Sequence, residues 1–333
     1  MQWDILGHDT AINFLKNHTK PDKTRHAYLI TGPEGVGRET LSLAFAKALN
    51  CQNPPSEGEF CGLCLACRQI DEQRYPDLMT LRVSEGSKDL KIDQIREMQK
   101  MLALAPYQSR YRIVLIPDFQ NATIGASNAL LKSLEEPPSK ALLILTADAK
   151  ESLLETIASR CEVLRLRPSG IQELEQYLVE DKAIEQSFAK RLAHLAAGRV
   201  GTALSLNENP GELEAYDDAL EDLTQLLQSK LRGRLQYVEK RLSKKAAPRE
   251  QFAFLVATWL SFWRDVMIIR EGARVPLVNL KQTDLIKKTA EVIDPNQIET
   301  VLKMHERSLG LLDSYVNPRL VIENLLLQIP ILG

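Results

Sequence analysis

The chain has 333 residues, 44% hydrophobic and 26% charged, with 16 Gly and 16 Pro. That composition excludes collagen-like, coiled-coil and largely disordered classes, and the length suffices for two or three domains with cores of their own. Lys and Arg number 42 against 44 Asp and Glu, a net charge of −2, which speaks against a free-standing nucleic-acid binder while leaving room for a local basic patch. The opening MQWDILGHDTAINF lacks an apolar signal core, and apolar runs such as 113–116 and 141–145 fall far short of the roughly 20 residues a bilayer span needs. The expectation is a cytoplasmic protein with reduced thiols.

Taken in chain order, residues 27–30 read as a buried strand ending in a Gly/Pro-rich turn over 31–37. The spacing of Leu41, Ala44, Phe45, Ala48 and Leu49 predicts a helix over 39–49. A Cys-rich insertion follows at 51–67. Then come a strand at 78–83, a helix at 92–104, a strand at 112–116, a helix at 127–134, a strand at 141–146, a short helix at 152–158 and a last strand at 162–166. This alternation implies a mainly parallel sheet with helices on both faces. The character changes at Arg167-Pro168-Ser169-Gly170, beyond which nearly everything is helical. Residues 170–206 predict a short helical bundle, 207–210 a break, and about 211–333 several amphipathic helices. Three domains are expected: an α/β domain over 1–167, a small helical domain over 168–207 and an all-α domain over 208–333. In the last, Trp259, Phe262, Trp263 and Arg264 lie close together, a spacing that fits helix core better than stacking on bases.

Gly32-Pro33-Glu34-Gly35-Val36-Gly37-Arg38-Glu39 follows a strand and opens a helix, where backbone N–H groups and a helix N-terminus can converge on an anion. Gly32 and Gly37 fit the phosphate-loop pattern G-x-x-x-x-G-K-[ST]; the next two positions do not. Arg38 replaces the lysine with a rigid fork, and Glu39 replaces the hydroxyl that ligates Mg²⁺, setting a carboxylate beside the phosphates. Thr40 stands one position late. The second half of such a site, an apolar strand ending in Asp118, is followed by Phe119 where hydrolysing enzymes carry an acid, and a phenyl ring cannot activate water. Alone, an Asp at a strand end is more often a helix cap than a metal ligand. Beside the altered loop, Asp118 points to a site that cannot hydrolyse ATP; the loop itself reads as a nucleotide site that binds poorly or not at all, the alternative being a Gly-rich strand–helix turn that never met phosphate.

Four of the five Cys fall in one stretch as Cys51 and Cys61-x2-Cys64-x2-Cys67. Thiols so spaced in a reducing compartment favour tetrahedral, structural Zn²⁺, the alternative being buried or redox-active thiols. Cys161 lies outside that set.

The stretches His26-Ala27-Tyr28, Gly32-Pro33-Glu34-Gly35, the cysteine module, Asn128 to Pro138 (NALLKSLEEPP) and Ser159-Arg160-Cys161 together resemble bacterial clamp-loader AAA+ subunits. The order and spacing match over about residues 1–206. Within that family the departures are similar to the delta-prime type rather than the ATP-hydrolysing gamma/tau type. The resemblance implies a RecA-like parallel sheet with a zinc module, a helical lid and an all-α collar. It places the degenerate nucleotide site at Gly32, Gly35, Gly37, Arg38, Asp118 and Thr146, the last at the sensor-1 position. It sets Gly201 where active relatives carry a sensing arginine, with Arg199 on another helix face. Arg160, on spacing alone an ordinary surface residue, becomes an arginine finger acting in trans on a neighbour's ATP. The implied partners are gamma/tau and delta subunits, the sliding clamp and primed DNA. The chain would then be no enzyme by itself but part of the DNA polymerase III holoenzyme. The alternatives are a self-sufficient gamma/tau-like ATPase and a nucleotide-independent DNA-binding module shaped by zinc.

Overall fold

The computed structural model describes residues 3, 5–84, 86–242, 249–314 and 316–332. They form two compact units, one of 1–177 with 198–202 and the other of 178–197 with 203–333.

The first unit is built on α1 (Asp9–Asn17), β1 (Ala27–Thr31), α2 (Arg38–Asn50), α3 (Leu65–Asp71), β2 (Leu78–Thr80), α4 (Ile92–Leu102), β3 (Arg112–Ile116), α5 (Ile124–Glu135), β4 (Ala141–Ala147), α6 (Glu155–Ala158) and β5 (Glu162–Arg165). The strands form one parallel sheet in the order β2-β3-β4-β1-β5, with β4 central and β1 between β4 and β5. Every residue of β1 and β4 is buried, as a parallel sheet covered on both faces requires. Alternation divides the core in two. Tyr28, Ile30, Ile113, Leu115, Leu142 and Ile144 pack with residues of α1, α2 and α3; Ala27, Leu29, Val114, Ile116, Leu143 and Leu145 pack with α4, α5 and α6. This is the α/β layering the sequence led us to expect.

Boundaries differ where local hydrogen bonds override periodicity. Helix α5 starts at Ile124 rather than 127 because the Thr123 hydroxyl accepts the Ala126 N–H and caps it. Strand β2 is short: after Leu81, whose N–H still reaches Leu115 O, the chain leaves the sheet. Helix α1, with Ile12 and Leu15 buried, had drawn no expectation.

The second unit holds α8 (Gln186–Leu195), α10 (Pro210–Gln228), α11 (Leu231–Leu242), α12 (Arg249–Arg270), α13 (Thr283–Val292), α14 (Pro295–Asp313) and α15 (Pro318–Gln328); α7 (Ile171–Glu180) and α9 (Val200–Glu208) cross the division. Among the described residues, α12 is the one helix long and apolar enough to cross a membrane, a stretch the sequence reading passed over. Its Phe252, Val256, Trp259, Phe262, Trp263 and Val266 are the centre of this unit's core, and the Trp259 indole donates to Ala219 O at 2.7 Å. The wholly buried Asp265 on the same helix accepts N–H bonds from Val278 and Asn279. The apolarity of α12 is thus used inside the protein, and the aromatic cluster is core.

His305 on α14 is wholly buried, its Nδ1–H donating to Val301 O at 2.7 Å while Nε2 has no partner among the described residues. Burial pushes its pKa down to about 4. The folded state therefore resists a proton that the unfolded chain accepts below about pH 6.5, and the stability present above that pH drains away as pH falls toward 4. Between pH 7 and pH 5 the wild type should lose about 2 kcal/mol relative to His305→Gln. Urea melts of both chains at the two pH values measure the difference, and parallel losses would refute the assignment.

Candidate functional site

Strand β1 delivers the chain into the loop 32–37, which turns into α2. Gly37 at the head of α2 has φ +102°, and Gly35 has φ +77°, both in the left-handed region that favours glycine. At Gly35 a side chain would also strike Thr202: a Cβ there would lie 2.1 Å from the Thr202 Oγ1. The loop is held from three sides. His8, itself buried, donates from Nε2 to Val36 O at 2.9 Å; Gly201 N–H donates to Gly35 O at 2.7 Å; and Val36 N–H closes a turn on Pro33 O.

Arg38, the first residue of α2, is buried, and its Nη2 donates to Asp118 Oδ1 at 2.8 Å. Asp118, two residues beyond β3, has φ +49°, and its N–H donates to the Thr146 hydroxyl near the end of β4. Asp118 makes no side-chain helix cap. The positions that would hold a phosphate and a metal in a working site are thus paired through Nη2, while Arg38 Nη1 is buried with no partner among the described residues. Phe119 is buried in the core on the α4–α5 side of the sheet. Glu39 does not lie beside the loop amides as expected: its carboxylate takes bonds from Arg82 and from Gln73 Nε2, on the α2 surface. Thr40 is exposed. At Gly201, a Cβ would lie 2.9 Å from Gly35 O, so the position where a sensing arginine was sought is packed against the loop itself.

The four cysteine sulfurs converge. Cys51 follows α2, Cys61 lies in the loop, Cys64 heads α3 and Cys67 lies within it. Sγ separations are 3.6 Å for Cys51–Cys61, 4.0 Å for Cys51–Cys64 and 4.0 Å for Cys61–Cys67, and all four lie within 4.8 Å of one another. Four sulfurs about 2.3 Å from a tetrahedral ion have edges of about 3.8 Å, so the set can hold a metal ion with no open position. Backbone N–H groups of Cys64 and Leu63 aim at the Cys61 sulfur and pull its pKa down to about 6, whereas burial pushes Cys51 and Cys67 up. A divalent cation is what would hold all four as thiolates. The module docks through Trp3 Nε1–H to Gly58 O, and through Phe60, whose ring lies 4.6 Å from Lys47 Nζ on α2. Cys161 is not in the cluster; burial holds its thiol near 12.

Arg160 follows α6. Its Nη1 donates to Thr156 O and its Nη2 to Glu135 Oε1, both at 2.8 Å, with the side chain 37% exposed.

Two family models, described as DNA polymerase III, delta subunit, and as its C-terminal part, match residues 7–170 and 215–330. The chain belongs to this clamp-loader family. DNA polymerase III subunit delta' of Bacillus subtilis is 27% identical over 328 residues, 96% of this chain and 95% of that one. The delta' subunit of Escherichia coli is 28% identical over 306 residues, 91% and 88% of the two chains. Subunit tau of B. subtilis is 31% identical over 231 residues, 65% of this chain and 39% of that protein, so the chain spans about two fifths of that longer relative.

In this clamp-loader chain the structure brings Gly35, Arg38, Asp118, Thr146 and Gly201 together at one end of the sheet and the four cysteines beside α2; Arg160 lies apart, after α6. Sequence reasoning missed His8 and Thr202, and took Glu135 only as part of a helix-ending acidic motif. Only Glu135 left a signal, an acid in the last turn of a helix where cations are favoured.

Proposed function

We propose that this chain is the non-hydrolysing, delta-prime-type subunit of the DNA polymerase III clamp loader. It would assemble with gamma/tau and delta subunits, help place the sliding clamp on primed DNA and donate Arg160 to the ATP site of a neighbour. One observation carries the reading: Arg38 and Asp118 form an ion pair in the place where phosphate and metal would need them separately, with Phe119 buried where the water-polarising acid would stand. Such a site has no acid beside Phe119 to activate water, and its arginine is paired with Asp118 through Nη2 alone. In this reading residues 1–167 are the nucleotide-binding-like domain, 168–207 the lid and 208–333 the collar through which subunits associate. Cys51, Cys61, Cys64 and Cys67 hold structural Zn²⁺, which fixes the module's shape and takes no part in chemistry. The chain works in the cytoplasm, as part of the holoenzyme and not as an enzyme alone.

The chain alone should bind ATP weakly or not at all and release no phosphate, while a loader assembled with it hydrolyses ATP on clamp and primed DNA. Arg38→Lys should remain silent, because Phe119 and Gly201 are unchanged. Phosphate release by the isolated wild type or by Arg38→Lys would overturn the reading in favour of a self-sufficient ATPase. Chelation-sensitive DNA binding by the chain alone would favour the zinc-shaped DNA-binding module instead.

A further inference from the structure

The motif that ends α5, Glu135-Glu136-Pro137-Pro138, has no role so far beyond stopping a helix, since the prolines cannot continue it. A carboxylate in the last helical turn faces the negative end of the helix dipole, an unfavourable place for it. At Glu135 this is offset by Arg160, whose two terminal nitrogens are anchored on different elements: Nη2 on the Glu135 carboxylate of α5 and Nη1 on the Thr156 carbonyl of α6. Among the described residues, these bonds use two of the five N–H donors of the guanidinium and leave three for an oxyanion. The pair faces solvent, with 37% and 51% of the two side chains exposed, so it adds little to folding stability. A long, rotamer-rich side chain held at both ends of its fork is nevertheless aimed, and an exposed carboxylate is not bound so tightly that it withholds the cation from a phosphate.

Resting on the reading of Arg160 as a finger, we propose that Glu135 is its positioning residue, aiming the guanidinium at the phosphates of a nucleotide held by the neighbouring subunit. The contribution belongs to the transition state, where orientation fixed beforehand need not be found during the reaction. It should therefore appear in kcat and leave the KM for ATP almost unchanged.

The test is steady-state ATP turnover by the assembled loader with clamp and primed DNA, after equal assembly has been verified for each variant. Glu135→Ala should lower kcat about fivefold, roughly 1 kcal/mol at 1.36 kcal/mol per tenfold. Glu135→Gln, which keeps an acceptor oxygen for Nη2, should recover most of that loss. The double variant Glu135→Ala/Arg160→Ala should be no slower than Arg160→Ala, since the acid acts only through the arginine. An unchanged kcat in Glu135→Ala beside a large loss in Arg160→Ala would overturn the positioning role and leave the finger standing. Losses that multiply in the double variant would also overturn it, by showing that Glu135 acts elsewhere. An Arg160→Ala loader as fast as the wild type would remove the finger, and this proposal with it.

Discussion

Replacing Arg160 with alanine is expected to remove one ATP site's contribution to the phosphate-release burst of the assembled loader. Phosphoryl transfer spreads negative charge over the γ-phosphate oxygens, and a guanidinium supplied in trans is worth about 10³–10⁵ in rate at the site it serves. A site slowed about 10³-fold no longer fires within the burst, so the amplitude falls by one equivalent, and steady-state turnover, which cannot complete a loading cycle without that site, falls with it. The fold should be indifferent. The side chain is 37% exposed and makes two surface hydrogen bonds, neither of which spans a core, so the melting temperature of the chain should move by no more than a degree or two. Arg160→Lys retains a charge without the planar fork and should recover only part of the lost amplitude. An unchanged burst in Arg160→Ala would reduce Arg160 to a surface residue and leave the chain a platform only.

What the sequence made legible was whatever depends on short-range pattern. All five strands were found, the inner ones because a parallel sheet buried on both faces writes itself as near-continuous apolar runs, and β1 and β4 are buried at every residue. The cysteines were legible because metal ligation needs close spacing. Long-range partnerships were not. Arg38 and Asp118 were each recognised as part of a nucleotide site, but nothing local says that residues 80 positions apart pair with each other. Glu39 was expected beside phosphates; it faces Arg82 and Gln73 because one step along a helix rotates a side chain by about 100°. Gly201 was read as a missing arginine. In three dimensions the position has a demand of its own, since its N–H bonds Gly35 O and a Cβ would crowd that oxygen at 2.9 Å. Helix α12 went unremarked because Asp265 and Arg264 interrupt its apolar run, yet the acid is satisfied internally by Val278 and Asn279.

Stripping the metal should be the most damaging change that leaves the covalent chain intact. With no cation, the thiols of Cys51 and Cys67 are pushed by burial toward their neutral form, and sulfurs held 3.6–4.0 Å apart lose the charge that draws them together. Structural zinc contributes about 10–16 kcal/mol to folding in small peptides. Here α1, α2 and the sheet also share an apolar core of their own, so only part of that is at stake, on the order of 3–5 kcal/mol. At 2–4 °C per kcal/mol for a unit of this size, the first unit should melt about 6–20 °C lower. The loss should travel along the module's contacts: Gly58 to Trp3, Phe60 to Lys47, and Lys47 to Asp71 at 2.6 Å, so that residues 51–71 exchange amide hydrogens first. Cys67→Ser, which removes the most enclosed ligand, should lose the metal and match the chelated wild type. Cys161→Ser, outside the cluster, should retain one zinc per chain by elemental analysis and so isolates the effect of metal from that of removing a thiol. Full metal content in Cys67→Ser, or melting unmoved by chelation, would mean that the four sulfurs do not share an ion and that the module stands on its apolar contacts with α2 and Trp3 alone.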